Sequence, residues 1–421
     1  IRDRGMSELR IFTGNRLEIL ADRLAEVVSR PLSTAFEPET VIVQSRGMER
    51  WVSMALARRN GICANMVFPF PNAFLDGLFR RILPDLPDPL PFDPEILTFR
   101  IMKRLPAFLE RPAFADLKRY LVDDAKGVKL YQLAVRLADL FDQYLVFRPE
   151  MIFQWEAGQG GDGSDNLWQA ELWRDLSHGK ETVHRARLHR NLLLRLDTLP
   201  LAAVGLPSRI SVFGISYLPP FHLQALAGLA RINPVYLFLL NPCREYWADI
   251  LSRRAMHRLT RKIARGTVDA DALHMEQGHP LLASLGGLGK EFLVSISATE
   301  ALIEDCFVPV DEHSLLSSLQ ADIFYLRDYS DSRSADRIGV EEAGPTAADA
   351  SIQIHACHGP LREIEVLHDR LLAMFEEHPD LRPRDVIVMA PDIVAYTPYI
   401  RAVFDTQTDA RQTIPYSIAD Q

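Results

Sequence analysis

The first 60 residues alternate between short apolar runs and amphipathic stretches. Residues 9–13 form an apolar run that predicts a strand, followed by a polar turn. The apolar residues beyond the turn recur at helical spacing: Leu17, Leu20, Leu24 and Val28. The β-branched run 40–45 predicts a second, buried strand, and residues 48–59 predict a second helix. This β-α-β-α order predicts the opening of a parallel sheet in an α/β fold.

Between about residues 70 and 200 the pattern becomes helical. The run Phe68-Pro69-Phe70-Pro71-Asn72 is expected to be irregular, because each proline fixes φ and removes an N–H donor. A glycine-rich loop is expected at 158–165. The 3.6-residue periodicity predicts helices at 73–83, 94–108, 114–121, 130–147, 167–176 and 182–198. We interpret residues 71–200 as an all-helical insertion within the α/β domain.

Strand patterns return after the helical stretch. Residues 208–215 and 234–242 predict strands, with a helix at 220–230 between them. Residues 253–265 predict a helix with basic and no acidic side chains: Arg253, Arg254, His257, Arg258, Arg261, Lys262 and Arg265. A solvated basic face and a contact with the DNA backbone explain this helix equally well.

A second α/β unit is predicted near the end of the sequence. The Ser-, Asp-, Gly- and Ala-rich stretch before it, 331–350, is interpreted as a linker. The elements expected beyond the linker are strands at 351–356 and 384–390, helices at 361–377 and 396–404, and a short extended piece at 414–418. We expect this unit, 351–421, to continue beyond the last residue.

Composition is that of a globular protein with two or three domains. The 421 residues are 48% hydrophobic and 24% charged, and no apolar run is long enough to span a membrane. The cysteines, Cys63, Cys243, Cys306 and Cys357, lack C-x-x-C spacing, which favours a reducing cytoplasm over a disulfide framework or a zinc site. The net charge of -9 does not indicate nucleic-acid binding, although a local basic channel would matter more than the total.

The turn after the first strand is where a phosphate-binding loop lies in nucleotide-binding α/β folds. Such a loop needs glycines to wrap phosphate, a lysine for the β- and γ-phosphates and a Ser or Thr for magnesium. Here Gly14 is the one glycine, Arg16 is the nearby cation, and no Gly-Lys-Ser/Thr follows. The sequence therefore predicts the frame of a nucleotide-binding fold without its chemistry.

Longer runs carry a resemblance to a known family. They lie at 13–18, 43–51, 68–71, 138–149, 214–220, 241–244, 278–284, 361–369 and 383–392. On these runs, which are spread over nearly the whole chain, the sequence resembles the N-terminal part of RecC, the gamma subunit of the RecBCD enzyme (exodeoxyribonuclease V).

The resemblance implies an inactivated fold of the superfamily 1 helicase type. A first RecA-like (P-loop NTPase-type) domain, 6–70 with 201–330, would carry the helical insertion, and a second would begin at 351. Superfamily 1 helicases carry Asp-Glu at the end of the Walker B strand, whereas the equivalent run here, residues 212–216, has no carboxylate. Gly14, Asn15, Arg16 and Gly214 would then be a degenerate nucleotide site. ATP and magnesium would be used by the partner subunits, and no cofactor is expected in this chain.

RecC proteins hold a RecB-like helicase-nuclease and a RecD-like helicase, split double-stranded DNA, and scan the 3′-ended single strand for the hotspot Chi. The family's scanning contacts, carried over position by position, fall on Gln44, Arg46, Arg50, Phe70, Asp76, Asp139, Leu140, Asp142, Arg148 and Arg185. Arg46 and Arg50 replace smaller uncharged residues, and Asp76 replaces an aromatic. The resemblance therefore implies a different hotspot, or weaker reading of it.

Structural explanations compete at several of these positions. Gln44 can hydrogen-bond at a strand end, Phe70 can anchor a core, and Asp139 and Asp142 can form surface ion pairs with Arg148. The sequences Asp116-Leu117-Lys118 and Asp124-Ala125-Lys126 mimic part of a nuclease signature, but in helical or loop context. Three function classes follow: a non-catalytic DNA-scanning subunit, a catalytic helicase or nuclease in its own right, and a pure interaction scaffold.

Overall fold

In the computed structural model the chain divides into two compact units. The first comprises Ile1–Gln44, Val52–Val308 and Ile323–Asp328, and the second comprises Ser45–Trp51, Pro309–Asp322 and Tyr329–Gln421. The structure describes residues 9–34, 36–83, 86–159, 167–180, 183–196, 198, 205–251, 276–277, 279–327, 349–406 and 413–418. The predicted helix 253–265, and most of the predicted glycine-rich loop and linker, lie outside these residues.

A parallel sheet forms the centre of the first unit. The described strands are β1 Leu9–Gly14, β2 Glu39–Ile42, β3 Met66–Val67, β4 Ile210–Phe213, β5 Val235–Leu240, β6 Ile250–Leu251, β7 Glu276–Gln277 and β8 Leu302–Asp305. Six of them form the sheet in the order β3-β2-β4-β5-β1-β8, and every pairing is parallel, while β6 and β7 form a separate pair. The predicted α/β class with a parallel sheet is confirmed.

Burial explains the sequence of the central strands. All four residues of β2 and of β4 are buried, and β5 is apolar throughout apart from its tyrosine hydroxyl. Parallel strands covered on both faces need such continuous apolar runs. The covering helices include α1 Leu17–Val28 and the helix Pro220–Ala230, whose buried side chains contact the strands. The elements predicted at 9–28 and 220–230 are confirmed.

The described residues between β3 and β4 contain helices and no strand. After α2 Arg46–Asn60, the helices are α3 Pro71–Ile82, α4 Pro94–Arg104, α5 Ala115–Leu121, α6 Val128–Phe147, α7 Pro149–Glu156, α8 Leu167–Ser177 and α9 Arg185–Leu196, with 3₁₀ turns at Leu105–Phe108 and Pro112–Phe114; the helix Pro220–Ala230 is α10. Helix α7 lies outside the predicted helices. Pro71, expected in an irregular run, begins α3, because the first helical position needs no N–H donor.

Helix α9 contributes side chains to two hydrophobic cores. One core lies wholly among the helices and includes Phe114, Phe141 and Trp173. The other core contains the sheet together with side chains of α3 and of α9, such as Leu192. Ala186, at the start of α9, belongs to the helical core. The helical segment is therefore joined to the sheet through α3 and α9, and the domain boundaries at 70 and 200 stay a prediction.

Trp247 anchors the segment that follows β5. Its Nε1 donates a hydrogen bond to Asn241 Oδ1 at 3.0 Å. Gly286 lies between α11 Pro280–Leu285 and α12 Gly287–Ser297, Gly289 lies in the first turn of α12, and both are directly against the indole. A Cβ at Gly286 would lie 2.5 Å from the Leu282 carbonyl oxygen and 2.7 Å from the Trp247 ring. Neither glycine tolerates a side chain without displacement.

The second unit contains a packed helix pair, α14 Pro360–Glu377 and α15 Ile393–Phe404; α13 Leu315–Phe324 precedes them in the chain. Ile364, Leu371 and Phe404 form part of the core between α14 and α15. The strands predicted at 351–356 and 384–390 are wrong: these residues form no strand, and Pro383–Asp385 is a 3₁₀ turn. Apolar runs become strands only beside a neighbour that completes the hydrogen-bond ladder, and none pairs with them among the described residues.

Replacing Gly286 by alanine is expected to destabilise the first unit by about 1–3 kcal/mol, because the new methyl group overpacks the Trp247 site. Gly287→Ala is the matched control, since a Cβ there meets no atom within 4 Å. Urea unfolding of both variants measures the difference. Equal stability of the two variants would contradict the tight fit around Trp247.

Candidate nucleic-acid interface

The turn that would hold phosphate in a nucleotide-binding fold is short. Strand β1 ends at Gly14 and α1 begins at Leu17, so Asn15 and Arg16 are the whole connection. A phosphate-binding loop needs several residues between strand and helix so that successive N–H groups can surround the phosphate. This two-residue turn does not provide that length.

The side chain of Asn15 is committed to the protein itself. Its Nδ2 donates to the Val308 carbonyl oxygen and its Oδ1 accepts from the Val308 N–H, both at 2.9 Å. A Cβ on Gly14 would lie 2.8 Å from the Cys306 carbonyl oxygen. The residues after β8 therefore lie against the turn and occupy the space beside it.

The end of β4, which would hold magnesium in a nucleotide-binding fold, also lacks the required groups. Strand β4 is followed by Gly214, which has a φ of 66° and donates its N–H to Phe238 O at 3.3 Å. No carboxylate occurs between Phe213 and Tyr217 to hold magnesium. The residues at Gly14, Asn15, Arg16 and Gly214 do not fit a nucleotide with its metal ion.

Three of the predicted site residues meet around one guanidinium. Arg185 is the first residue of α9, and its Nη1 lies 3.3 Å from Asp142 Oδ1 on α6. Its Nη2 lies 3.6 Å from Asp76 Oδ2 on α3. The side chains of Arg185, Asp142 and Asp76 are 17%, 23% and 37% exposed. Three helices thus bring together an arginine and two carboxylates, which we call the Arg185 cluster.

The cluster carries more negative than positive charge. Burial raises the pKa of Asp76 above its usual range, Arg185 opposes this, and Asp93 adds to it. Burial likewise raises the pKa of Asp142, against the effect of Arg185 and with further contributions from Asp76, Asp93 and Asp139. Arg185, with a smaller contribution from Arg80 at Asp76, therefore only partly compensates the surrounding carboxylates.

Residues of α3 and α10 connect the cluster to the sheet. His222 Nε2 lies 3.0 Å from Asn72 Oδ1, and both helices start from the carboxyl edge of the parallel sheet. Burial lowers the pKa of His222 to about 4, with Arg185 and His189 contributing, and burial also lowers the pKa of His189 to about 4. Two neutral imidazoles therefore lie behind Arg185. The sequence prediction does not include three residues of this region: Asn72, His189 and His222. The sequence signal for the two histidines is their position within an apolar helical stripe.

Gln44 and Phe70 lie next to each other at the same edge of the sheet. Gln44 follows β2 and is exposed, and the preceding residue, Val43, donates its N–H to Pro69 O at 3.2 Å. Phe70 precedes α3 and is 37% exposed. Ligands bind outside the carboxyl ends of strands in open α/β sheets, so this is the expected side of the sheet for a binding site.

The remaining predicted residues of α6 are spread along the helix. Asp139 is exposed and lies near enough to raise the pKa of Asp142, whereas Leu140 packs partly against the helical core. Arg148 caps the carboxyl end of α6, with its guanidinium carbon 5.9 Å from the Tyr144 ring centre. Arg148 lies nine positions after Asp139, about 13 Å along the helix axis. The interpretation of Asp139, Asp142 and Arg148 as one surface ion-pair set is not supported, because Asp142 pairs with Arg185 instead.

Comparison with known proteins identifies the family. A family model described as "RecC, N-terminal domain" matches residues 9–326. The chain belongs to the RecC family. The protein named RecBCD enzyme subunit RecC of Escherichia coli (strain K12) is 40% identical over 98% of this chain and 39% of its own length. Those of Haemophilus influenzae and Mycolicibacterium smegmatis are 34% and 32% identical over 97% and 94% of this chain.

This RecC-family chain spans about two fifths of the length of the first two of those relatives, which it covers to 39% and 40%.

Two of the predicted DNA-contact residues lie in the second unit of the chain. Arg46 and Arg50 are exposed on the first turns of α2, and Arg46 forms a 2.6 Å ion pair with Glu49. Exposed pairs of this kind are weak, so they leave an arginine able to exchange its partner.

The alternative sites of this RecC-family chain have structural explanations. Asp124 Oδ2 accepts the Leu130 N–H at 2.7 Å near the start of α6, and Lys118 pairs with Glu110 at 2.6 Å. Within the part of the chain that the structure describes, no group of three or more His, Cys, Asp or Glu side chains is arranged to hold a metal ion. No helix in that part is long and apolar enough to cross a membrane.

Replacing Arg185 by methionine is expected to cost roughly 1–3 kcal/mol of unfolding free energy at pH 7, because two partly buried carboxylates lose their cation. The cost should be smaller at pH 5. A carboxylate whose folded pKa lies above the ordinary value of about 3.9 binds its proton more readily in the folded state, so stability falls as pH rises through that window. Removing Arg185 raises the pKa of Asp76 and of Asp142 in the folded state further, so the variant loses more stability between pH 5 and pH 7 than the parent chain does.

Urea unfolding at both pH values measures this difference. Arg136→Met is the matched control, since Arg136 is exposed on α6, the helix that carries Asp142. An equal cost of Arg185→Met at pH 5 and pH 7 would show that the carboxylates do not depend on Arg185 for their charge.

Proposed function

We propose that this chain is the helicase-like N-terminal part of a RecC subunit, which catalyses no reaction itself and guides single-stranded DNA. The observation that carries the proposal is the position of Gln44, Phe70 and the Arg185 cluster. All of them are reached from the carboxyl ends of β2, β3 and β4, on the side of the sheet where ligands bind in α/β folds.

The exposed groups suit unpaired bases. Gln44 offers an amide donor and an acceptor to a base edge, and Phe70 offers an aromatic face on which a base can stack. The carboxylates of Asp76 and Asp142 accept from exocyclic amino groups. Sequence-specific recognition of single strands uses this combination of stacking and edge contacts. Scanning of the 3′-ended strand for Chi is the activity that these groups would serve.

The Arg185 cluster is not a phosphate site. Its guanidinium lies between two carboxylates, and the excess negative charge repels a phosphodiester. Phosphate contacts therefore belong to other cations, and Arg46, Arg50 and Arg148 are exposed. Asp76 occupies a position where the family has an aromatic, so we expect one stacking platform fewer and a changed or weaker hotspot preference.

The chain is proposed to use no nucleotide. The two-residue turn at Asn15 and the missing carboxylate after β4 support a RecA-like fold of the superfamily 1 type that has lost ATP hydrolysis. A RecB-like helicase-nuclease and a RecD-like helicase would supply ATP and magnesium chemistry in the cytoplasm. The whole assembly would process double-strand breaks for homologous recombination, with a second RecA-like domain beginning near residue 351.

Two alternative functions, a catalytic enzyme and a pure interaction scaffold, can be distinguished from the proposed one by experiment. A catalytic helicase would need the phosphate and metal ligands that the two nucleotide positions lack. A metal-dependent nuclease would need a cluster of metal-binding side chains, and the described residues contain none. A pure interaction scaffold would leave Gln44, Phe70 and the Arg185 cluster without a role in DNA binding. The scaffold function is therefore the principal alternative that DNA titrations must distinguish.

Fluorescence-anisotropy titration of the chain with single-stranded DNA tests the phosphate contacts. Replacing Arg46, Arg50 and Arg148 by glutamine should weaken binding and make it less dependent on salt. The log–log slope should fall by about 0.7 for each phosphate that an arginine no longer neutralises. The control removes equal charge by replacing three exposed arginines outside the predicted contacts, Arg23, Arg111 and Arg119, and should bind like the parent chain. Absence of binding at low salt would favour the scaffold function.

Truncation of Phe70 tests base stacking in the assembled enzyme. Phe70→Ala should weaken single-strand binding by about 1–3 kcal/mol, the usual contribution of one base stacked on an aromatic ring. Phe36→Ala is the control, because Phe36 is also exposed, at 94%, and is not among the predicted contacts. The parent enzyme and both variants are each titrated with Chi-containing and with shuffled strands. If each of them binds the two strands with equal affinity, the proposal of Chi scanning loses its support.

A further inference from the structure

Strand β8 forms an open edge of the parallel sheet. It is the last strand in the order β3-β2-β4-β5-β1-β8 and pairs with β1 on its inner side. All four of its residues, Leu302–Asp305, are exposed. No described strand pairs with its outer side. An unpaired strand edge presents a row of backbone donors and acceptors to a further strand.

The register shows which backbone groups face outward. The N–H of Cys306 donates to Thr13 O of β1 at 2.7 Å. Because backbone groups of alternate residues point to opposite sides of a strand, Leu302 and Glu304 also face β1. The N–H and C=O groups of Ile303 and Asp305 then face away from the sheet. Both of these residues can hydrogen-bond an added strand.

The side chains of β8 would select the added strand. Leu302 and Ile303 are apolar and 49% and 51% exposed, and they are followed by two carboxylates, Glu304 and Asp305. Successive side chains lie on opposite faces, so each face presents one apolar residue followed by one acidic residue. Residues 299–308 contain a further acid, Glu300, and no Lys or Arg. Two basic side chains lie near β8: Arg10 on β1, in register with Leu302, and Arg23 on α1, which contacts Cys306 and pairs with Glu26. Both belong to elements on the inner side of β8.

We propose that the open edge of β8 binds a basic, extended segment of another polypeptide as a seventh strand. The complementary segment places two successive apolar β-branched residues beside Leu302 and Ile303 and two successive basic residues beside Glu304 and Asp305. Main-chain hydrogen bonds provide affinity in strand addition, and alternate side chains provide specificity. Opposite charges directly across a strand pair stabilise the pairing further.

Charged residues on an edge strand also prevent uncontrolled pairing. That protective function is consistent with the proposal, because Glu304 and Asp305 repel acidic strands and do not repel a basic one. A purely protective edge would bind no strand of either charge. The two explanations therefore differ in a measurable way.

The test is titration of the full chain with fluorescein-labelled peptides containing Val-Ile-Lys-Arg or, for antiparallel addition, Arg-Lys-Ile-Val. Matched peptides with glutamates in place of the basic residues are controls. Ile303→Pro removes an outward N–H while leaving the β1 pairing, as proline is tolerated where an edge N–H faces solvent. Ile303→Thr keeps the N–H and a β-branched side chain.

A basic peptide should bind, with affinity lowered at least about tenfold in Ile303→Pro and little changed in Ile303→Thr, because only the proline removes a main-chain hydrogen bond to the peptide. Binding should also slow amide exchange at Ile303 and Asp305. Absence of binding by both basic peptides would overturn the proposal. So would equal binding to Ile303→Pro, provided that its thermal unfolding midpoint matches that of the parent chain, because it would show charge attraction without strand addition.

Discussion

Arg185 lies between two partly buried carboxylates, those of Asp76 and Asp142, at a junction of three helices. Breaking either contact would leave charge in a poorly solvated place, so the three residues constrain how α3, α6 and α9 meet. Because α9 contributes to both hydrophobic cores, the same contacts determine how the helical segment adjoins the sheet. Gln44 and Phe70 are exposed at the sheet edge from which α3, the helix of Asp76, starts.

The turn after β1 lies at the same sheet edge, but its side chains contact the protein itself. In a working nucleotide-binding fold the groups after the first strand point at phosphate. Here Asn15 bonds the Val308 backbone in both directions, and the Cys306 carbonyl occupies the space beside Gly14. The turn is therefore occupied by contacts within the chain. In the proposed function, recognition at the carboxyl edge depends instead on the residue after β2 and on residues of α3 and α6.

The fold is predictable from sequence where burial is continuous. Strands β1, β4 and β5 and helices α1, α6 and α10 follow from apolar periodicity, because their side chains lie in a core. The same apolar signal fails at 384–390, where Ile387 and Met389 are 81% and 84% exposed and no described neighbour completes a strand. Propensity specifies which residues can form a strand, but the partner that permits the ladder is not local.

The candidate site is only partly predictable from sequence. The predicted scanning residues follow from family resemblance. The structure brings three of them, Asp76, Asp142 and Arg185, into contact although more than 100 positions separate the first from the last. No periodicity encodes such a contact. The position of His222 and His189 in apolar helical stripes indicates that they are buried, but it does not indicate that they lie near Arg185.

Photo-crosslinking of the assembled enzyme to single-stranded DNA that carries a photoreactive base tests most directly whether this sheet edge guides the strand. We expect crosslinked peptides from the sheet edge and the Arg185 cluster, chiefly residues 66–82 with Phe70, and from the segment of α6 around Asp139. Crosslinks that fall reproducibly elsewhere in this chain, such as the exposed face of α4 and α8, with none at Phe70, would contradict strand guidance at this edge. The Arg185 cluster would then be a structural ion-pair group only.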